Sequence, residues 1–347
     1  MMRLPSFRYR TPKTLDEAVS WLADSPADTM LLAGGTDLIP NMKRRQQTPR
    51  TVIALRHLAP LRTRVYQPNR TVGAAITIGA AVTLTDLVRD DRLRTRCRGL
   101  WQAAAQVATP HLRSMGTIGG NLCLDTRCTY YDQSFEWRKA INFCMKKDGR
   151  TCWVATSSPR CLAVSSTDTA PMLVALGARV RLLSARGERV IDVADLYAND
   201  GMRYLTRQPD EILADVIVPD EPGWRSAYWK LRRRGSFDFP VASAAVAALV
   251  NPSGHLEHAR IVLGAVASCP LLSTKAAALL VGHRLTDELI AAAADAAYEI
   301  AKPMDNTDFE LLWRKKMVRA LVTAALRELR GDDVSELRQR IARQALA

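Results

Sequence analysis

The chain has 347 residues, 48% hydrophobic and 24% charged, so it is long enough for two or three packed domains and too apolar to stay disordered. Its formal charge of +14 is compatible with an anionic partner, cofactor or membrane surface and equally with a solvated face, and the basic residues are scattered along the chain. Short knots at Lys43–Arg45, Arg232–Arg234 and Arg314–Lys316 lack zinc-finger spacing, a basic zipper or a paired aromatic motif, so nucleic acid is not an expected partner. The polar start has no apolar leader, and the most apolar stretch, Phe239 to Val250, has 12 residues, too few to span a bilayer. A cytoplasmic location without membrane contact is expected.

In chain order, Thr14-Leu15-Asp16-Glu17 has the pattern of a capping box and opens a helix with Ala18, Val19, Leu22 and Ala23 on its apolar face. Asp28 to Leu32 rises into a strand that ends at Gly34-Gly35, and Thr51 to Leu55 supplies another. From Thr71 the alternation of VGAAITIGAAVTL predicts a strand. A broken helical stretch runs from Thr85 towards Ala108, and Pro110 is expected to end it. Leu122 to Ser166 has no clean periodicity. A short helix and a strand follow in TAPMLVALGARVRLLSA, and a second body is expected after Ile191. It starts with a strand at Leu213 to Val218 and continues with strand signals at Ser226 to Leu231, Pro240 to Val250 and Ala259 to Leu263. Helical runs at Ser273 to Val281, Asp287 to Ile300 and Leu311 to Leu329 precede a polar, helix-like tail at 332–347.

Two short motifs carry chemistry. Ala33-Gly34-Gly35-Thr36-Asp37 follows an apolar strand, and its paired glycines let backbone amides approach an anion. Thr117-Ile118-Gly119-Gly120-Asn121 repeats the arrangement. Neither is a G-x-G-x-x-G fingerprint. Taken with its neighbour, each is expected to offer amides and hydroxyls to one pyrophosphate. Of seven cysteines, Cys97 and Cys269 lie alone and read as structural thiols. Cys128, Cys144, Cys152 and Cys161 are separated by 15, 7 and 8 residues; four thiolates suit an iron–sulfur cluster, and structural zinc would also accept them. No Cys-x-x-Cys pair is present. Cys123 is a fifth, ambiguous member, read as a packing residue. Asp125, Tyr130 and Tyr131 are expected to order this loop, and His111 has no catalytic partner.

AGGTD and TIGGN resemble the pyrophosphate-binding loops of the FAD-binding domain shared by xanthine dehydrogenases and the medium subunits of carbon monoxide dehydrogenases, and the resemblance covers roughly residues 5–330. It implies an α+β fold: a two-part FAD-binding domain of the PCMH/vanillyl-alcohol-oxidase type, 1–58 and 59–195, then a C-terminal CO-dehydrogenase-flavoprotein-type domain at 222–330 and a tail at 331–347. In that family an aspartate follows the second loop closely and contacts the flavin nucleotide. Here the matching residue is Asp168, 47 positions after Asn121, so a segment at about 122–165 is inserted beside the flavin site. The insertion, with GGNLCLDTRCTYYDQ and FCMKKDG, resembles the beta subunits of 4-hydroxybenzoyl-CoA reductases, which implies a [4Fe-4S] cluster on Cys128, Cys144, Cys152 and Cys161. The surrounding Arg127, Lys139, Lys146, Lys147, Arg150 and Arg160 are expected to offset its negative charge.

The same resemblance implies FAD contacts at Leu32, Ala33, Gly34, Gly35, Thr36, Asp37, Thr117, Gly119, Gly120, Asn121, Asp168 and Leu213, and places Lys230 near the flavin ring. Asp37 and Asp168 would accept hydrogen bonds from the nucleotide; no residue is assigned as catalytic. The chain would then be an oxidoreductase subunit that passes electrons, joined to a molybdopterin-binding large subunit and a [2Fe-2S] small subunit as a dimer of heterotrimers, with a soluble carrier such as ferredoxin outside. Other expectations stay open: a related aromatic hydroxylase, or a non-catalytic protein binding FAD and metal or nucleic acid.

Overall fold

The computed structural model describes residues 3–69, 73–234 and 237–344. Thr71 and Val72 of the expected strand, Gly235 and Ser236 of the basic motif and the last three residues of the tail lie outside the described residues.

The first unit is β1 (Arg8–Arg10), α1 (Leu15–Asp24), β2 (Thr29–Leu32), α2 (Leu38–Lys43) and β3 (Thr51–Ala54), with the three strands parallel in the order β1-β3-β2. Thr14 caps α1 by accepting from the Glu17 amide at 3.1 Å. Glu17 reaches back to the Lys13 amide, one residue before the position a capping box requires, so only half of that motif forms. Ala18 and Leu22 bury the apolar face of α1 against Ile53 of β3 and Ile212 and Ala214 of the next sheet.

The second unit begins with β4 (Arg64–Asn69) and β5 (Gly73–Gly79). Helices α3 (Leu84–Val88), α4 (Asp91–Arg96), α5 (Arg98–Ala105), α6 (Pro110–Arg113), α7 (Ile118–Leu122), α8 (Phe135–Ala140) and α9 (Thr169–Ala175) follow, then β6 (Arg179–Ser184), β7 (Gly187–Asp192) and β8 (Ile212–Pro219). These strands form one antiparallel sheet in the order β4-β5-β8-β6-β7. The segment Leu213 to Val218, expected to open a second body, is therefore the middle strand of this sheet. Its run ILADVIV is buried on both faces, which is the pattern of a central strand. Pro110 does not end a helix but starts one, as N1 of α6, where its missing N–H costs nothing and Thr109 caps.

The third unit is an antiparallel sheet of β9 (Trp224–Leu231), β10 (Ala242–Val250), β11 (Leu256–Gly264) and β12 (Leu271–Leu272), in the order β12-β11-β10-β9, with α10 (Thr274–Ala278), α11 (Asp287–Ile300), α12 (Leu311–Arg330) and α13 (Ser335–Gln344). The helix expected across Ser273 to Val281 is shorter than its pattern, and Gly282 follows with φ +83°. Along β10 the side chains divide by parity. Ala245 and Ala247 join the large core with Leu100 of α5 and Leu173 of α9. Ala244, Val246 and Ala248 face Leu321 and Ala325 of α12. Small residues on both faces let β10 lie between two helical layers. Among the described residues no helix is long and apolar enough to cross a membrane.

The insertion is an irregular lobe with one short helix, α8, which its sequence did not announce. Its neck is an antiparallel bridge in which Arg127 N donates to Val164 O at 2.8 Å and Val164 N to Arg127 O at 2.7 Å. Polar contacts fix it between the first and third units. Gln46 Nε2 donates to Tyr131 O at 2.5 Å, Thr129 N to Asn306 O at 2.9 Å, and Ser165 N to Ala267 O at 3.0 Å.

Candidate functional site

A cleft of about 1180 Å³ opens between the first two units and is closed on one side by Arg234, Phe237, Asp238 and Phe239. Every residue to which the sequence assigns a flavin contact lines it, from Leu32 to Leu213, except Lys230.

The two glycine motifs meet at its floor. A Cβ added to Gly34 would stand 1.9 Å from the Met115 carbonyl oxygen, and one on Gly120 would be 4.0 Å from the Ala33 Cβ. Side chains at either glycine would fill the cradle or push the turns apart. The motifs differ in what they can offer. In the first, the Gly34, Gly35, Thr36 and Asp37 amides donate to no described acceptor. In the second, the expected open loop is the start of α7. Ile118 N donates to Val82 O, Gly119 N to Ala80 O, Gly120 N to Thr117 Oγ1 and Asn121 N to Thr117 O. TIGGN therefore supplies a flat wall of small residues, not the free amides its glycines suggested. Its Asn121 Oδ1 accepts from Thr167 Oγ1, Thr169 N and Thr169 Oγ1, tying the wall to the segment that carries Asp168.

Asp168 lines the cleft at 2% exposure; Lys230 lies behind it with its side chain fully buried. Lys230 Nζ donates to Asp168 Oδ2 at 3.0 Å and to the Gln106 carbonyl at 2.9 Å, and the Tyr228 hydroxyl donates to Asp168 Oδ1 at 2.8 Å. Lys230 is thus joined to the cleft wall through Asp168, and it is not the solvated lysine that a strand end often carries. Burial raises the Asp168 carboxyl above its ordinary range and lowers the Lys230 ammonium, each opposed by the pair's mutual attraction. Desolvation likewise lifts the Tyr228 hydroxyl well above its usual value.

Asp37 is also engaged. Arg127 of the insertion pairs with its Oδ1, and Asn41 Nδ2 donates to its Oδ2 at 3.1 Å. Its carboxylate is thus tied to the insertion and to α2 while it lines the cleft. Sequence reasoning missed Arg127 in this role, as it missed Arg44, Arg203, Arg207, Phe237 and Phe239 along the same cleft. Arg44 and Arg203 pair with no carboxylate among the described residues, so they leave positive charge along the cleft that the first turn lines. Small-residue walls, free amides and uncompensated arginines fit a diphosphate-bridged dinucleotide. Segment 202–209 had no motif to mark it.

In the insertion, Cys128, Cys144, Cys152 and Cys161 are 4–7% exposed and line one small void with Tyr130, Tyr131, Lys146 and Trp153. Cys123 lines the large cleft instead. As free thiols, Cys128 is pushed up to about 12 and Cys161 to about 11, in each case mainly by burial. Three of the cations expected to offset a cluster are already paired with carboxylates. Arg127 is paired, and Lys146 Nζ donates to Asp125 Oδ1 at 2.7 Å and to Gly201 O at 2.7 Å. Lys147 pairs with Asp148 at 3.5 Å. Asp125 also accepts from the Tyr131 hydroxyl at 3.1 Å, so both residues order the lobe as expected. His111 is exposed on α6.

Residues 5–221 match the FAD binding domain in molybdopterin dehydrogenase, and 226–329 match the CO dehydrogenase flavoprotein C-terminal domain. The aldehyde oxidoreductase FAD-binding subunit PaoB of Escherichia coli (strain K12) is 30% identical over 93% of this chain and 99% of its own. The nicotinate dehydrogenase FAD-subunit of Eubacterium barkeri is 29% identical over 92% and 94%. The solved carbon monoxide dehydrogenase from Hydrogenophaga pseudoflava contains a chain that superposes with a TM-score of 0.76 at 27% identity, covering 94% of this chain and 98% of that one. The cleft's form and these matches agree: the chain belongs to the FAD-binding family of molybdopterin dehydrogenases, and it is an oxidoreductase subunit with the two-domain architecture of a CO dehydrogenase flavoprotein.

Proposed function

We propose that this chain is the FAD- and [4Fe-4S]-carrying electron-transfer subunit of a molybdenum-dependent aromatic acyl-CoA reductase, the dehydroxylating 4-hydroxybenzoyl-CoA reductase being the model. The observation that carries the reading is the void in the insertion, with four buried cysteines as its chemically active lining. Soft thiolates are iron–sulfur ligands, and metal binding would replace the thiol protons that burial otherwise retains. When bound, the two groups supply one- and two-electron storage.

The chain's own residues position those groups. The Ala33–Asp37 turn offers amides to the diphosphate, α7 walls the cleft, and Asp168, held by Tyr228 and Lys230, fixes the polar side. The flavin domain is read as the PCMH/vanillyl-alcohol-oxidase type, with its second part extended through β8 and the C-terminal domain starting at about 222. Partners in the reading are a molybdopterin large subunit and a [2Fe-2S] small subunit, as a dimer of heterotrimers, with a ferredoxin-like donor in the cytoplasm. FAD is held non-covalently. Among the described residues Cys123 is the one cysteine lining the cleft, and burial raises its thiol above the ordinary value, which makes it a poor nucleophile. Acid precipitation should release the flavin into the supernatant; flavin left on the pellet would contradict this.

The test of the substrate is anaerobic assay of the purified complex with 4-hydroxybenzoyl-CoA and a reduced one-electron donor. Formation of benzoyl-CoA is expected. Turnover of nicotinate, an aldehyde or carbon monoxide in its place would assign the chain to a related dehydrogenase. Stable isolation of the chain alone, without molybdenum, would remove the reading altogether.

A further inference from the structure

We propose that Arg127 is a flavin-positioning residue supplied by the insertion, so that the cysteine-bearing lobe completes the flavin cleft as well as enclosing its own void. Arg127 adjoins Cys128 in sequence, lines the large cleft and is 8% exposed. Its guanidinium pairs with Asp37 and donates at 3.3 Å to both Asn41 Oδ1 and Asp132 Oδ1. It also stacks over Phe239, 4.5 Å from the ring centroid, on the opposite wall of the cleft. One donor is left over: Nε is buried and has no acceptor among the described residues.

Asp37 closes the turn whose free amides face the cleft. An uncompensated carboxylate there would repel a diphosphate at short range in a partly dehydrated site. Arg127 removes that repulsion and sets the turn's position. The lobe grips the other end of α2 as well: Arg138 Nη2 donates to Arg44 O at 2.9 Å, and Gln46 reaches Tyr131 O. The first glycine turn is thus held from outside its own unit, by a residue whose backbone is clamped at the neck of the lobe. This inference rests on FAD occupying the cleft and is independent of what the cysteines bind.

The experiment is fluorescence titration of FAD into deflavinated complex carrying Arg127→Gln, Arg127→Lys, Asp37→Asn, or Asp37→Asn with Arg127→Gln, with iron measured on each sample. Arg127→Gln should weaken FAD on the order of 10-fold or more at unchanged iron content, because it leaves Asp37 unpaired beside the diphosphate. Arg127→Lys should restore most of the affinity. Asp37→Asn, which loses the ion pair but leaves no unpaired charge, should weaken FAD by less than Arg127→Gln, and the double variant should lose less than Arg127→Gln alone. Full affinity in Arg127→Gln would overturn the proposal, as would a double variant that loses more than Arg127→Gln alone, the mark of independent roles. Should Arg127→Gln not fold, the lysine and asparagine variants still decide. Failure of the wild type to bind FAD would strike the family assignment of the cleft instead.

Discussion

Lys230→Met should destabilise the protein by about 3–5 kcal/mol, because it strands the Asp168 carboxylate in a buried site. The Asp168 side chain is 4% exposed and would keep only the Tyr228 hydroxyl, and the Gln106 carbonyl would lose its donor too. Denaturant melts read the loss, and FAD content should fall with it because Asp168 lines the cleft. The penalty has a pH signature. Burial already raises the Asp168 carboxyl above 3.8, and removing its cation raises it further. The folded variant then binds that proton more tightly than the unfolded chain, so stability is retained at low pH and is lost as the pH rises through the raised value. The deficit should therefore shrink on acidification. A deficit that grew as the pH fell would show that Asp168 was not the stranded charge.

Cys161→Ala should remove the metal and open the insertion. The lobe's buried cluster consists of Cys128, Tyr131, Cys144, Cys161 and Ala163, too small an apolar core to hold so long an irregular segment. In the proposed reading its order depends on the peripheral hydrogen bonds and on a ligated centre that would crosslink four distant points. Limited proteolysis should cut the variant between residues 122 and 165 and leave wild type intact under the same conditions. Equal resistance in both would mean that the contacts of Gln46, Asn306 and Lys146 suffice.

The sequence made the first unit, the paired glycine motifs and the long C-terminal helices legible because each is written locally, in a cap, a turn or a run of one period. The Asp287–Ile300 helix is an example: Thr286 caps it, and alanines bury one face. What it hid is non-local. Leu213 to Val218 reads as a strand, but its place between β5 and β6 depends on pairings far away in the chain. TIGGN has the glycines of an anion-binding loop, yet nothing local shows that Ala80 and Val82 accept its amides. Lys230 and Arg127 were visible as cations, while their partners Asp168 and Asp37 come from other segments 62 and 90 residues away. The four cysteines were legible as a set by their spacing, and they line one small void; the flavin motifs line one large cleft, while no motif marked the arginines beside them.

The most direct test of the account is low-temperature electron paramagnetic resonance of the dithionite-reduced, anaerobically purified complex, wild type beside Cys144→Ser. The account predicts a [4Fe-4S] signal in wild type, in addition to those of the [2Fe-2S] subunit, that disappears in Cys144→Ser while the [2Fe-2S] signals and most of the FAD remain. Stoichiometric zinc in this chain with no [4Fe-4S] signal would contradict it.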